Sequence, residues 1–281
     1  MFGGIDTEKY IGELTAVPVI PDSDTDIYTS FTVTLSSLIV NYTDADPFTA
    51  VSQAIPVILD SGTTLSYLPS RIADNIYEEL GAVDDTSYTG LVYIDCEYLR
   101  NSSGLTFDFQ FGGSSGPLVR VPVDELVLDN VKEYIDQGLP LPDLDFADDV
   151  CSFGIQPNTG VYLLGDTFLR SAYAVYDLDN NVVALAQANL NSTDTNVVEI
   201  SSSGIPDVSG VASQVSATQT ATGLPGAGDN TDNVPTTTAS AGASDSEGAG
   251  ARAVPAPAWE AVAVAAFAGV AGLMGVGLFV L

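Results

Sequence analysis

The sequence predicts a mainly β domain with one clear helix over residues 1–190, a disordered stalk over 191–257 and an apolar C-terminal tail over 258–281. Three observations carry this. Short runs rich in Val, Ile, Thr, Phe and Tyr alternate with turn-forming Asp, Gly and Pro through the first two-thirds of the chain. One segment there switches to clear helical spacing. Nearly all aromatic residues and both cysteines lie before residue 190, where the composition turns to Ser, Thr, Ala and Gly.

Residues 11–60 read as short strands joined by turns. "YTSFTVTLSSLIV" (28–40) alternates as a half-buried strand should, and "DSDTD" and "TDADP" punctuate it. In "PSRIADNIYEELGA" (69–82), Pro69 and Ser70 open a helix, Ile72, Ile76 and Leu80 recur at four-residue spacing, and Gly81 closes it. Strands resume with "TGLVYIDC", "LTFDFQFGG" and "PLVRVPV", and "VDELVL" (123–128) suits a short helical turn. Residues 160–189 read as strand, tight glycine turn, a brief helical or irregular crossing, and a hairpin turned by Asp179, Asn180 and Asn181.

From 191 to 257 large apolar side chains are almost missing, too few to offset the entropy of ordering. Such a Ser/Thr-rich stretch with Pro reads as an O-glycosylated stalk or a plain flexible linker. After Glu260 come 21 residues without a charge. That is long enough for a bilayer-spanning helix. Small residues, a polar spacer and a terminal apolar tail also match a glycosylphosphatidylinositol signal, and counting about 10 spacer residues back from Ala261 places attachment near Gly248. The expected membrane contact is through that lipid anchor or through the C-terminal helix.

Charge excludes several functions. Seven Lys+Arg against 37 Asp+Glu give a net charge of −30, which repels nucleic acid. It suits either solubility or work at low pH, where carboxylates are neutral. With no histidine, Ser-His-Asp and Cys-His triads and the usual His-containing zinc sites cannot be built. Gly112-Gly113-Ser114-Ser115-Gly116 fits G-x-S-x-G but reads as a Gly/Ser turn for the same reason.

Cys96 and Cys151 are far apart without CxxC spacing, so a metal site is not supported. An even count outside the cell favours one disulfide, which would stabilise by about 4 kcal/mol; two buried thiols are the alternative. Asn41, Asn101 and Asn191 head N-x-[ST] sequons, as expected of an extracellular glycoprotein. Against this, the first twenty residues hold no basic and apolar leader pattern. Asp22, Asp24 and Asp26 alternate like a calcium loop but lack its glycine and distal glutamate, so they read as a solvated turn. Asp143, Asp145, Asp148 and Asp149 read as a surface loop, and Tyr10, Tyr28 and Tyr42 as strand residues.

The chemistry gathers at "VILDSGTTLSYLP" (57–69), where an apolar strand runs into Asp60 and turns at Gly62. A carboxylate there is costly unless hydrogen bonds or a second group compensate. Much later, Leu163-Leu164-Gly165 leads into Asp-Thr-Phe-Leu-Arg. In order and spacing, residues 1–190 resemble the C-terminal lobe of pepsin-like aspartic proteases, most closely the fungal surface-anchored yapsins and their candidapepsin-like relatives. "MFGGIDTEKYIGELTAVPVI" resembles the stretch joining the two lobes, and "LLGDTFLRSAYAVYDLDNNVVALAQAN" the closing segment.

The resemblance implies an aspartic endopeptidase acting on peptide or protein substrates, without metal or cofactor. Asp60 would be one of two catalytic aspartates, with Ser61, Gly62, Thr63 and Thr64 forming the active-site loop. Gly62 would donate its N–H to the carboxylate, Thr63 would tie the two active-site loops together, and Thr64 would lie near substrate. Cys96 and Cys151 match the disulfide of that lobe. Two close carboxylates share one proton, so one is a general base toward water while the other donates to the scissile carbonyl.

The sequence departs from the family in holding no second apolar-Asp-Thr/Ser-Gly motif and no first lobe with its flap tyrosine. The expectation is therefore a partial gene product, inactive alone, whose missing partner is the N-terminal lobe. Its place would be the outer face of the plasma membrane or the cell wall. Two other readings differ in what they predict. A catalytically inactive surface-binding protein would be monodisperse and without peptidase activity; a homodimer supplying Asp60 twice would gain activity with the square of concentration.

Overall fold

The computed structural model describes residues 1–101, 104–138, 140–146, 149–201 and 204–212. The fold is mainly β. Its largest sheet runs Leu118–Pro122, Thr106–Phe111, Thr32–Asn41, Ile55–Leu59, Leu163–Leu164, Ser66–Pro69, Ile155–Asn158, with Phe48–Val51 added beside Thr32–Asn41. Most neighbours are antiparallel. Ile55–Leu59 with Leu163–Leu164, and Ser66–Pro69 with Ile155–Asn158, are parallel. A four-stranded sheet orders Val127–Leu128, Val150–Phe153, Leu91–Asp95 and Val83–Asp85. Another orders Ala172–Asp177, Val182–Ala188, Tyr10–Pro18 and Val208–Val211, and Gly4–Asp6 pairs with Val197–Glu199.

Alternation places one face of the long strands in a main core, with smaller clusters around Ile5 and Tyr93. Phe107, Phe109 and Phe111 alternate along one strand and are fully buried, as are Phe153 and Phe168. The Phe168 ring lies 5.0 Å from that of Phe109 and 5.6 Å from that of Phe111, so the short helix Asp166–Leu169 is pinned to the large sheet. Burying each such ring contributes roughly 1.5–3 kcal/mol.

The longest helix among the described residues is Ser70–Leu80, within the range its spacing predicts. Ala73, Ile76, Tyr77 and Leu80 are buried, while Ile72 is half-buried. Gly81 ends the helix in the left-handed conformation (φ 70°) and donates its N–H toward the last turn, whose open carbonyls need partners. The Tyr77 hydroxyl donates to the Ile155 carbonyl at 2.9 Å and docks the helix on the strand behind the site. Among the described residues Glu97–Arg100, Val131–Asp136 and Asp166–Leu169 are shorter helices, and Val123–Leu126 is a 3-10 turn.

Cys96 and Cys151 form a disulfide with Cα atoms 5.1 Å apart, both sulfurs buried. It links the start of Glu97–Arg100 to strand Val150–Phe153. Asp129 is close to both sulfurs, but a disulfide offers no thiolate to a metal.

The structure moves two expected boundaries. The stalk was expected from residue 191, yet Val197–Glu199 and Val208–Val211 are strands. Val198, Ile200, Ile205 and Val208 pack over Ile5, Leu14, Ala184 and Ala186. Asn196 adds its N–H to Asp6 Oδ1 at 2.9 Å and its side-chain amide to Thr7 Oγ1 at 2.7 Å. A short edge strand needs one good face, which composition over a long window conceals. The strand expected at 28–40 begins only at Thr32, and Tyr28 is exposed outside it. The stalk beyond residue 212, Gly248 and the apolar tail over 258–281 lie outside the described residues. Among the described residues no helix is long and apolar enough to cross a membrane.

Candidate active site

Strand Ile55–Leu59 lies between Thr32–Asn41 and Leu163–Leu164, and it delivers Asp60 at its C-terminal end. Leu59 donates its N–H to the Phe31 carbonyl at 3.1 Å, and Asp60 donates its own to the Leu164 carbonyl at 3.1 Å. The chain then turns through Ser61 and Gly62, both exposed.

Both carboxylate oxygens of the half-buried Asp60 find partners in that turn. Oδ1 accepts the Gly62 N–H at 2.9 Å, and Oδ2 accepts the Thr63 hydroxyl at 2.6 Å. A Cβ at Gly62 would stand 3.2 Å from Asp60 Oδ1, so the glycine permits the close approach. These donors fix the plane of the carboxylate. The Thr63 hydroxyl is thus turned onto Asp60 itself. Thr64 is exposed beside it, and its carbonyl accepts the Thr167 N–H at 3.0 Å.

The segment after Leu164 supports the turn from behind. Asp166 donates its N–H to the Thr63 carbonyl at 2.9 Å. Gly165 lies so close that a Cβ there would overlap the carbonyls of Thr63 and Leu65. Asp166, which lacks a following glycine, nevertheless shares the electrostatic field of Asp60. Partial burial raises the Asp166 pKa above the usual carboxylate value, Arg170 opposes the rise, and the Asp60 charge adds to it. Arg170 is itself held by Glu125, Nε to Oε2 at 2.9 Å.

Tyr176 faces the same charge. Burial first, then Asp60, push its phenol up to about 12. Its ring packs on Phe31 with centroids 4.5 Å apart, and the Phe31 carbonyl accepts the N–H of Leu59, the residue before Asp60. Next to it, Tyr28, Phe31, Asp177 and Leu178 line a small open cleft.

The other singled-out residues disperse. Asp22 is buried, and its Oδ1 accepts the Asp24 N–H at 3.1 Å, the Thr25 N–H at 3.0 Å and the Thr25 hydroxyl at 2.8 Å. The Thr25 hydrogen bonds hold its pKa below the usual value, as in a closed turn rather than an open cation loop. Asp149 pairs with Arg100 at 2.8 Å. Tyr10 stacks near Tyr173 with ring centroids 5.1 Å apart, and Tyr42 donates to Glu79 at 2.9 Å. Of the sequon asparagines, Asn101 and Asn191 are exposed, while Asn41 is half-buried at the end of Thr32–Asn41. Sequence reasoning missed Tyr176, Ser66 and the neighbourhood of Asp166 with Asp60. A serine in "SYLP" carries no functional signal by itself.

A family profile described as "Eukaryotic aspartyl protease" matches residues 1–188. The probable aspartic-type endopeptidase OPSB of Arthroderma benhamiae is 40% identical over 232 residues, 80% of this chain and 45% of that protein. Aspartic proteinase 3 of Saccharomyces cerevisiae is 32% identical, over 73% of this chain and 33% of its own length. Secreted aspartic protease 8 of Candida albicans is 31% identical, over 69% of this chain and 39% of its own length. The chain therefore spans less than half the length of these relatives. Among solved structures, the aspartic proteinase from Irpex lacteus superposes with a TM-score of 0.48 at 22% identity, covering 69% of this chain and 53% of the other.

Proposed function

The chain belongs to the eukaryotic aspartyl protease family, and from that premise we propose that it supplies one lobe, and Asp60 as one catalytic carboxylate, of an aspartic endopeptidase. The second carboxylate would come from an N-terminal lobe, corresponding to the part of the relatives that the chain does not span. Peptide or protein amides are the substrates.

The observation that carries this reading is the holding of Asp60. Its two oxygens each accept a donor from the next three residues, Gly62 N–H and the Thr63 hydroxyl, at the end of a strand fixed on both sides. A carboxylate kept in one orientation can meet a second one across a shared water. The ionised member takes a proton from the water as its oxygen attacks the scissile carbonyl carbon, and the protonated member donates to the carbonyl oxygen. When the tetrahedral intermediate collapses, the C–N bond breaks, the proton held by the base goes to the departing amine, and the hydroxyl formed on the carbonyl oxygen returns its proton to the carboxylate that supplied it, so the pair again shares one proton. Thr63 and Gly62 keep Asp60 aligned through both steps, and exposed Ser61 and Thr64 line the approach of substrate.

The domain would work outside the cell, a reading supported by the name of the Candida relative, which calls that protein secreted. Exposed Asn101 and Asn191 are the favoured glycan acceptors over half-buried Asn41, and the tail over 258–281 would serve surface attachment in one of two ways, exchanged for a lipid at Gly248 or kept as a membrane helix.

The test is Asp60→Asn in the two-lobed protein, assayed for acid-pH cleavage of a peptide library. Loss of all cleavage with the fold intact is expected; retained activity would sink the assignment.

A further inference from the structure

Behind the Asp60 turn lie two hydroxyls that its chemistry does not use. Ser66 and Thr167 are both fully buried, and their oxygens are 3.1 Å apart. A buried hydroxyl needs its hydrogen placed and its oxygen used, so the directions can be worked out from the partners.

Gly165 donates its backbone N–H to Ser66 Oγ at 3.3 Å. Ser66 Oγ is therefore an acceptor there, and its own hydrogen is left for Thr167 Oγ1. Thr167 in turn donates to the Gly154 carbonyl at 3.4 Å. That carbonyl also accepts the Ser66 N–H at 2.8 Å, which uses both of its lone pairs. Gly154 has to be glycine for Thr167 to come so near, since a Cβ would meet Thr167 Cγ2 at 2.6 Å.

The relay does not stop at Gly165. The N–H of Gly165 and the C=O of Leu164 belong to one rigid peptide plane. Its carbonyl end accepts the Asp60 N–H. One unbranched chain of donors thus runs from Asp60 through the Leu164–Gly165 peptide, Ser66 and Thr167 to Gly154. Every intermediate group is shielded from water, and bonds in such a chain polarise and strengthen each other.

We propose that Ser66 and Thr167 are positioning residues for Asp60, acting through the Leu164–Gly165 peptide. Without their hydroxyls the N–H end of that plane loses its hydrogen bond, and the Asp60 backbone bonded to the carbonyl end is freer to turn with it. The catalytic side of this proposal rests on the protease reading above; the structural side does not.

The first measurement is amide hydrogen exchange on the full chain, comparing wild type with Thr167→Val, which keeps the shape, Thr167→Ser, which keeps the hydroxyl, and Ser66→Ala. Thr167→Val and Ser66→Ala are expected to speed exchange at Asp60 and Gly165 about tenfold, with Thr167→Ser within about twofold of wild type. The amides of Thr106–Phe111 should keep their rates. Unchanged rates at Asp60 and Gly165, or equal acceleration everywhere, would overturn the proposal. In the two-lobed protein, Thr167→Val should lower kcat by about tenfold to a hundredfold with KM nearly constant, and Thr167→Ser should restore it. A rise in KM alone would count against positioning. If the wild-type two-lobed protein cleaves nothing, the protease reading fails, while the exchange rates still decide the relay.

Discussion

Gly165 packs its α-carbon against the carbonyl of Thr63, with no room for a side chain between the closing segment and the Asp60 turn. Two stretches far apart in sequence are thereby held in backbone contact, stitched by the Asp166 N–H on Thr63 and the Thr167 N–H on Thr64.

Gly165→Ala is expected to destabilise the domain by about 1–3 kcal/mol, because the clash is with backbone that cannot swing aside. Urea unfolding measures this. A midpoint equal to wild type would mean that the two stretches separate easily.

Asp166 makes stability depend on pH with a definite sign. Its pKa is raised in the folded state, so the native protein binds its proton more tightly than the unfolded chain does. That contribution is fully present below the unfolded value of 3.8 and is lost as pH rises through the folded one. Asp166→Asn should therefore gain stability relative to wild type as pH rises from that value. Parallel curves for the two proteins across the acid range would contradict the coupling.

Tyr176 gives the same kind of dependence at alkaline pH. Its contribution is intact below the ordinary tyrosine value of 10.0 and falls as pH climbs to about 12. Because Asp60 adds to the shift, Asp60→Asn should lower the Tyr176 pKa, which NMR of the ring Cζ reports. A pKa that does not move would show that burial alone sets it.

Replacing Cys96 and Cys151 together by alanine should cost about 2–5 kcal/mol, as for a disulfide closing a long segment. The same loss should appear in the wild type on adding reductant, read by thermal unfolding. Equal stability in oxidising and reducing buffer would exclude it.

Ending the chain at residue 190 should be clearly worse than ending it at 212. The first cut removes Val197–Glu199, Val208–Val211 and the Asn196 bonds, and it uncovers Ile5, Leu14, Ala184 and Ala186. Calorimetry of the two truncations decides; identical transitions would place residues 191–212 outside the cooperative unit.

Much of this arrangement was legible in the sequence because local signals agreed with the fold. Ile72, Ile76, Leu80 and Gly81 marked the helix, Asp179–Asn181 marked the hairpin, with Asn181 at φ 50°, and the run into Asp60 marked the turn. What stayed hidden was long-range. The parallel pairing of Ser66–Pro69 with Ile155–Asn158 joins segments about ninety residues apart, and no propensity encodes it. Ser66 and Thr167 look like ordinary strand and helix residues until that pairing sets one oxygen against the other. Residues 191–212 were concealed because composition averages over a window, whereas an edge strand needs only a few well-placed side chains.

The strand Val208–Val211 also has a mechanical meaning. It runs parallel to Tyr10–Pro18, and just beyond it the buried Ala212 donates its N–H to the Ala16 carbonyl at 2.7 Å. A pull along this strand loads its cross-strand bonds side by side, in shear, instead of peeling them one after another. Tension arriving from the C-terminal side would be taken up at Ala16 and its neighbours before it reached the Asp60 turn.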